Sequence, residues 1–526
     1  TLKNPCSAVY HTSSAPNIYS SLSHGVPKAE LPISRAPKAH VEAINWFLDD
    51  CVNGTTSLDF YHLNDVVEFS DFSSIVDNVT IRDSEGTLKP EKLRNSIPVI
   101  RSSIGSKKYN TLKSNLMTFE ARNFVSDVGA DRLCSDMTAK RMVEKFFDNY
   151  IDPVRLAQET VDELTFNEHA LSEWTEKRDG RRMVNLRKDI EKPIVFEQSL
   201  TNFKLMLKTE AKPKLDESVL SSMPAGQNIV YHQPAINALF SHVFVQVTER
   251  LQRCLKRNFV LTSGLSPENF EDILNDGLSS KIQGLHCCEV DISKYDKSQG
   301  PLMKQIEEEV LRRLIVNESF LDWWYSSEYE SLCSTFDKSL TVSVGAQRRT
   351  GGSNTWLGNT IINMVLLAYV HDFDSDTMVC FSGDDSLILS REKKFFDFFR
   401  LNCELGFDVK FFPQATPYFC SKFLINLEDR IVVVPDLFKL VTKLGRITAR
   451  TENEGRDNFV SFRDATKWYG RDDVVALLSY YHQEKYGPSK HVYDAACAIH
   501  CIAANFDQFS RLAYKKTGKA FGFSFL

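Results

Sequence analysis

Two acidic signals in this chain have the residue types and spacing for phosphate chemistry. The first is Phe381-Ser382-Gly383-Asp384-Asp385-Ser386-Leu387, where two adjacent carboxylates follow a glycine between short apolar runs. A turn residue between two such runs predicts a tight β-hairpin with Asp384 and Asp385 at its tip. Carboxylates presented that way are hard oxygen ligands for Mg²⁺ or Mn²⁺. The second is Glu289-Val290-Asp291-Ile292-Ser293-Lys294-Tyr295-Asp296. Alternation of apolar and polar residues puts Asp291 near a strand end, and Asp296 falls beyond the strand. A strand-end Asp291 facing Asp384 would make a shared site for two divalent ions about 3.5–4 Å apart, an arrangement that serves phosphoryl transfer. An ordinary turn and a pair of solvated loop carboxylates fit the same residues.

Two further elements suit phosphate and sugar. Gln347-Arg348-Arg349-Thr350-Gly351-Gly352-Ser353-Asn354-Thr355 leads into an apolar run, Ile361–Tyr369. A glycine turn opening a helix exposes backbone N–H groups and the positive end of the helix dipole. Thr355 and Asn359, four apart, share a helical face that could hydrogen-bond a sugar or a base. Upstream, Lys204, Lys208, Lys212 and Lys214 line one short segment with Met206 and Leu207 between them. Compact ammonium groups in a row suit a triphosphate or an RNA backbone, although a solvated basic face has the same composition.

The elements that must hold these groups belong to a large chain. Its 526 residues exceed one ordinary core, so two to four subdomains are expected. With 42% hydrophobic and 25% charged residues the composition is that of a globular protein, and no apolar run reaches membrane-spanning length. Twelve cysteines without a CxxC pair read as free thiols in a reducing compartment. Cys497, His500 and Cys501 lie in an apolar helical pattern and read as core rather than zinc ligands. The net charge of −6 is unevenly spread. Residues 42–93 carry 11 acidic and three basic side chains, so the rest of the chain is net positive, and a basic stretch follows at residues 94–122. Residues 1–40 lack periodicity and read as an arm or linker. Helical spacing predicts helices over Val41–Cys51, Thr138–Tyr150, 230–258, Val474–Tyr486 and His491–Phe506. Arg178-Asp179-Gly180-Arg181 has the Asp-Gly pair of a hairpin.

In this order the motifs resemble those of viral RNA-dependent RNA polymerases. Lys204–Lys214 looks like the family's motif F, Asp291-x₄-Asp296 like motif A, and Thr350-Gly351-x₃-Thr355-x₃-Asn359 like motif B. Ser382-Gly383-Asp384-Asp385 looks like motif C, Phe407-Asp408-Val409-Lys410 like motif D, and Tyr418-Phe419-Cys420-Ser421-Lys422 like motif E. The phrases around Asp291 and Asp384 are similar to those of the alphavirus-like supergroup. Ile229–Ala238 and Met142–Phe147 resemble tobamovirus polymerases, and Gln347–Trp356 looks more like closteroviruses and criniviruses. The resemblance is strongest over about residues 138–445, weaker over 94–137 and 446–526, and absent over 1–93.

The resemblance implies an α+β right hand of fingers, palm and thumb. The palm would be an antiparallel sheet with helices, and the thumb mostly helical. The expected division is an arm at 1–40, an N-terminal extension at 41–137, fingers at 138–284 and 301–340, palm at 285–300 and 341–436, and thumb at 437–526. It implies attack of an RNA 3′-OH on the α-phosphate of an NTP, with two Mg²⁺ (Mn²⁺ as the alternative) held by Asp291, Asp384 and Asp385. Asp296 and Asn359 would take the ribose 2′-OH, and Lys410 would protonate the leaving pyrophosphate. Lys204, Lys208, Lys212, Arg349, Gly351 and Thr355 would handle the nucleotide, and Cys420, Ser421 and Lys422 the RNA primer. Template and product RNA and NTPs would be the ligands, and methyltransferase and helicase domains of a larger replicase the partners. The expected setting is a membrane-associated replication complex in the host cytoplasm, reached without an anchor in this chain. The start at Thr1 agrees with release from, or fusion to, a longer product. A reverse transcriptase and an inactive RNA-binding scaffold are the competing readings. A site that binds the 2′-OH speaks against the first, and intact carboxylates speak against the second.

Overall fold

A computed structural model describes residues 36–51, 79–81, 112–122, 135–178, 180–191, 196–208, 226–279, 284–293, 295–394, 396–414, 416–444, 447 and 452–513. It is a mixed α+β structure with thirteen strands among the described residues. These are β1 (Val79–Ile81), β2 (Asn202–Lys208), β3 (Gln227–Tyr231), β4 (Phe259–Leu261), β5 (His286–Ile292), β6 (Ser331–Thr335), β7 (Leu340–Val344), β8 (Met378–Ser382), β9 (Asp385–Ser390), β10 (Val409–Gln414), β11 (Tyr418–Phe419), β12 (Lys422–Asn426) and β13 (Ile431–Pro435). They form three sheets, ordered β1-β7-β6-β2-β3, β10-β5-β9-β8-β4 and β11-β12-β13.

The second sheet carries the acidic motifs. Its central strands β8 and β9 are almost wholly buried, which is why Met378-Val379-Cys380-Phe381 and Leu387-Ile388-Leu389 are continuous apolar runs rather than alternating ones. Against it packs the helix Thr355–Val370, in which every residue from Leu357 to Tyr369 is buried. A helix apolar all round needs neighbours all round. Helix Ser135–Tyr150, helix Pro301–Arg313 and strand β8 supply them. Each of Ile361, Ile362, Met364, Val365, Leu366 and Leu367 is at most 1% exposed and contributes about 1.5–3 kcal/mol by burial. The Tyr150 ring extends this core, with edge-on contacts to Phe259 at 4.7 Å and Phe381 at 5.7 Å. The core thereby fixes the helix against the sheet edge where the site lies.

Beyond Leu437 the described residues are helical, ending with Asp472–Tyr486, Val492–Ala503 and Phe506–Ala513. The helix Ala36–Cys51, five residues longer at its start than the spacing predicts, packs on Val492–Ala503. Asp50 Oδ2 accepts hydrogen bonds from Ser489 Oγ (3.0 Å) and from the N–H groups of Lys490 (2.8 Å) and His491 (3.2 Å). An early segment thus holds the turn that leads into a late helix. The remainder of residues 1–40 lies outside the described residues.

Two expectations change. Arg178–Arg181 is not a β-hairpin: helix Glu168–Glu176 precedes it and helix Gly180–Ile190 starts within it. An Asp-Gly pair makes a hairpin only between alternating strands, and the flanks here have helical spacing instead. The helix expected over 230–258 is Pro234–Cys254, because Gln227–Tyr231 is spent as β3 and Pro234 fits only the first turn. No helix among the described residues is long and apolar enough to cross a membrane.

Candidate active site

Ser382 pairs with Asp385, so Gly383-Asp384 is a two-residue hairpin loop with Gly383 at φ +64°. A hairpin this tight needs a left-handed residue, and glycine takes it without a Cβ clash. The buried helix clamps the loop. Gly383 N–H donates to Thr360 Oγ1 (2.9 Å), and Asn363 Nδ2 donates to the carbonyls of Gly383 (3.2 Å) and Asp384 (3.1 Å). Trp356 Nε1 reaches Ser382 Oγ at 3.3 Å. Thr360 and Asn363 are fully buried polar residues in an apolar helix, and the hairpin backbone accounts for their presence.

Asp291 lies one residue past the last paired position of β5 and β9, Val290 opposite Ser386, which brings it alongside Asp385. Asp296 follows in the 3₁₀ turn Tyr295–Ser298. Burial and then the charge of Asp385, with smaller effects from Asp296 and Asp291, push the Asp384 carboxyl up to about 6. Four carboxylates therefore converge on one hairpin tip. Among the described residues no three His, Cys, Asp or Glu side chains stand close enough to share a single ion as found. The donor set itself, all hard carboxylate oxygens repelling one another, fits a divalent cation.

Lys410 is the direct cross-strand partner of Asp291 in the β5–β10 ladder and is exposed, so the two share one face of the sheet. On the other side, Phe419 pairs with Lys422, and Cys420 and Ser421 form a two-residue loop at φ +48° and +64°. Such angles cost a non-glycine residue roughly 1–3 kcal/mol. Ser421 is held there by Asp436 N–H on its carbonyl and Lys439 Nζ on its hydroxyl, both at 3.0 Å. The Cys420 thiol, its pKa raised by burial and then by Asp385, lies beside the acidic hairpin. Lys422 is half-buried at the same turn.

The sugar candidates also meet. Asn359 Nδ2 donates to Asp296 Oδ1 (3.1 Å), and the Tyr295 hydroxyl donates to the Asn359 carbonyl (2.9 Å). Thr355 is half-buried and donates to the carbonyls of Arg349 (2.7 Å) and Gly352 (2.8 Å).

The glycine loop departs from expectation. Gly351 N–H donates to the Val230 carbonyl (2.8 Å) and Gly352 N–H to the Arg349 carbonyl (2.9 Å), so neither is turned to an anion. A Cβ on Gly351 would lie 2.9 Å from the Val230 oxygen and from Tyr231 Cβ. The glycine is there so that the loop can seat on β3. Arg349 also differs. It is 2% exposed, and its guanidinium donates to Ser331 Oγ and to the carbonyls of Gln347, Val344 and Gly345 at 2.9–3.0 Å, and to that of Glu328 at 3.3 Å. It ties the first sheet to the loop and has no face left for a triphosphate.

Lys204 and Lys208 are half-buried on one face of β2, with exposed Met206 between them. Lys204 pairs across to Tyr231, which Gly351 touches, so this face borders the glycine loop. Lys212 and Lys214 lie outside the described residues.

Sequence reasoning missed a buried polar cluster behind the sugar candidates. Arg348, Lys304, Glu307 and Glu328 are each at most 1% exposed. Arg348 pairs with Glu307 and Lys304 with Glu328, and Asn354 Nδ2 donates to Glu307 Oε1 (2.6 Å). Arg348 Nε and Nη2 both donate to Gln299 Oε1, at 3.0 and 2.7 Å. No spacing rule links positions 299, 307, 328 and 348.

Comparison with known proteins shows the family. Residues 69–512 match the family model described as RNA dependent RNA polymerase. The chain is 39% identical over 482 residues to replicase polyprotein 1ab of grapevine leafroll-associated virus 3, covering 92% of this chain and 17% of that protein. It is 35% identical over 491 residues to replicase polyprotein 1ab of beet yellows virus, covering 92% and 16%. It is 30% identical over 461 residues to RNA-directed RNA polymerase 2a of cucumber mosaic virus strain FNY, covering 85% and 52%. The chain thus spans about a sixth of the two polyproteins and about half of the 2a protein. Matched over most of its length, and with its acidic hairpin, strand-end aspartate and Thr-x₃-Asn helix brought to one place, the chain belongs to the RNA-dependent RNA polymerase family.

Proposed function

We propose that this chain copies an RNA template by joining ribonucleotides to an RNA 3′-OH with release of pyrophosphate. The observation that carries the proposal is the gathering of Asp291, Asp296 and Asp385 about Asp384 on one clamped hairpin, where burial and then these charges raise the Asp384 pKa. Family membership supports the reaction class. Strands β5, β8, β9 and β10 of the second sheet would belong to the palm, with residues 138–284, whose β4 adds the edge strand to that sheet, and 301–340 as fingers, and the helices beyond 437 as thumb.

Asp291 and Asp384, assisted by Asp385, would hold the metal ions, Mg²⁺ in the first instance. When bound, two such ions activate the attacking hydroxyl and neutralise charge on the phosphate and leaving group. The protein's own contribution is positioning and charge. Thr360 and Asn363 fix the Asp384 backbone, and the β5–β10 register holds Lys410 opposite Asp291, from where it would give a proton to pyrophosphate. Asp296 and Asn359 would take the ribose 2′-OH, and a site built for that hydroxyl penalises the sugar lacking it. Lys204 and Lys208 suit the triphosphate, and the Cys420–Ser421–Lys422 turn the RNA primer. Other replicase domains are the expected partners, since two of the matched relatives are far longer replicase polyproteins.

The test is nucleotide incorporation on poly-ribonucleotide templates with Mg²⁺. Template-dependent ribonucleotide incorporation that stops when Mg²⁺ is withheld supports the proposal. Preferential use of dNTPs, or RNA binding without incorporation, would replace it with one of the two competing readings.

A further inference from the structure

Asp296 and Asn359 discriminate a hydroxyl only if the Asn359 amide faces one way. Asparagine can present either its oxygen or its NH₂ to a neighbour, and only the NH₂ complements a carboxylate. In this protein the orientation is set from behind. A guanidinium has donors only, so Gln299 Oε1, which takes hydrogen bonds from Arg348 Nε and Nη2 at 3.0 and 2.7 Å, can be nothing but the acceptor end of its amide. Its Nε2 must then donate, and it does so to Asn359 Oδ1 at 2.8 Å. That leaves Asn359 Nδ2 directed to Asp296 Oδ1 at 3.1 Å. Each amide in the chain has one permitted polarity, dictated by the cation at its start.

The start of the chain is itself immobile. Arg348 is 1% exposed and paired with Glu307, and Lys304 with Glu328 closes the cluster without net charge. Acceptors on Gln299 and Glu307 for its Nε, Nη1 and Nη2 hold the guanidinium plane. Gly358 completes the seat. A Cβ there would lie 2.4, 2.5 and 2.6 Å from Arg348 Nη1, Nη2 and Cζ, so the helix carrying Asn359 lacks a side chain where Arg348 crosses it.

We propose that Arg348 and Gln299 form a directional hydrogen-bond relay that locks Asn359 and Asp296 in the polarity needed to select ribose, so that both are positioning residues for sugar specificity. The inference rests on the reading that Asp296 and Asn359 meet the 2′-OH. Neither Arg348 nor Gln299 touches substrate, and their effect should fall on the choice between sugars.

The test compares kcat/KM for an rNTP and its dNTP in four full-length proteins: wild type, Asp296→Ala, Gln299→Glu and Gly358→Ala. Glutamate at 299 keeps an acceptor for Arg348 but has no donor for Asn359, which inverts the relay at nearly constant size. Alanine at 358 displaces the guanidinium while removing no charge, in a residue type that favours helix over glycine. Outer-shell partners typically carry effects of about 10–100-fold. The rNTP/dNTP preference should therefore narrow about tenfold or more in Gln299→Glu and Gly358→Ala, as in Asp296→Ala. If Asp296→Ala narrows the preference and the other two do not, the relay is wrong and the sugar-binding reading stands. If no variant narrows it, both are wrong. Equal loss of rNTP and dNTP use in Gln299→Glu and Gly358→Ala would make the cluster structural and overturn the relay.

Discussion

Thr360→Val tests whether the buried helix holds the acidic hairpin in working position. Thr360 is fully buried, gives its hydroxyl proton to the Trp356 carbonyl at 2.7 Å, and accepts Gly383 N–H at 2.9 Å. Valine has the same shape and β-branching, so packing and helix preference change little. What is lost is the acceptor for a buried N–H, at a cost of about 1–3 kcal/mol. The cost falls on the loop carrying Asp384. It should appear as about 5- to 150-fold faster amide hydrogen exchange at Gly383 by a local opening, with helix amides in the core unaffected. A displacement of the order of 1 Å in a reacting group costs up to about 10²-fold. Single-turnover incorporation should thus slow about tenfold or more, while KM for NTP moves less than about twofold. Unchanged exchange at Gly383 would show that the hydrogen bond does not hold the loop. Faster exchange with unchanged incorporation would show that the loop's hold is irrelevant to chemistry.

Three further outcomes follow from the geometry. Arg349→Lys should lower stability by about 1–3 kcal/mol, because carbonyls that the guanidinium fork satisfies lose partners, yet leave KM for NTP within about twofold in the folded protein; a selective rise in KM would return Arg349 to the nucleotide site. Lys410→Leu should slow single-turnover incorporation about 10²-fold or more if the lysine is the proton donor, and an unchanged rate would leave it a strand residue. Burial of His232, helped by nearby Arg349 and opposed by the hydrogen bond between its Nε2 and the Leu200 carbonyl, pushes its pKa down to about 4. Its folded pKa lies below the unfolded value, so the unfolded chain binds the extra proton and stability falls as pH drops from about 6.5 to 4. Between pH 7 and 5 that is about 2 kcal/mol, and His232→Gln should remove this share of the pH dependence in urea melts, a result that an unaltered slope would contradict.

The residues proposed to meet substrate were legible because their chemistry forces local patterns. A two-residue turn needs Gly383, a strand end alternates around Asp291, and a helical face needs Asn359 four residues after Thr355. The apolar runs on either side of that turn showed the two hairpin strands for the same reason. Long-range pairing was not legible. Arg348 and Arg349 are neighbours of one type, yet one enters a charged cluster and the other ties down a sheet, and only the fold decides which. The glycines at 351 and 352 read as a phosphate cradle because their N–H groups are potential donors, but β3 and the loop itself take those donors first. The link from Gln299 to Asn359 joins residues 60 apart with no shared periodicity.

We propose that Asp384 holds catalytic charge at the hairpin tip, a charge that Asp384→Asn removes. Burial, and then the charge of Asp385, raise the folded pKa of Asp384 to about 6, above its ordinary value of 3.8, so its contribution to stability is present at low pH and lost as pH rises between those values. At neutral pH without metal, neutral asparagine should therefore leave the melting temperature equal to or above wild type, while template-directed ribonucleotide incorporation with Mg²⁺ falls to background. Incorporation near the wild-type rate in a folded Asp384→Asn protein would contradict the account.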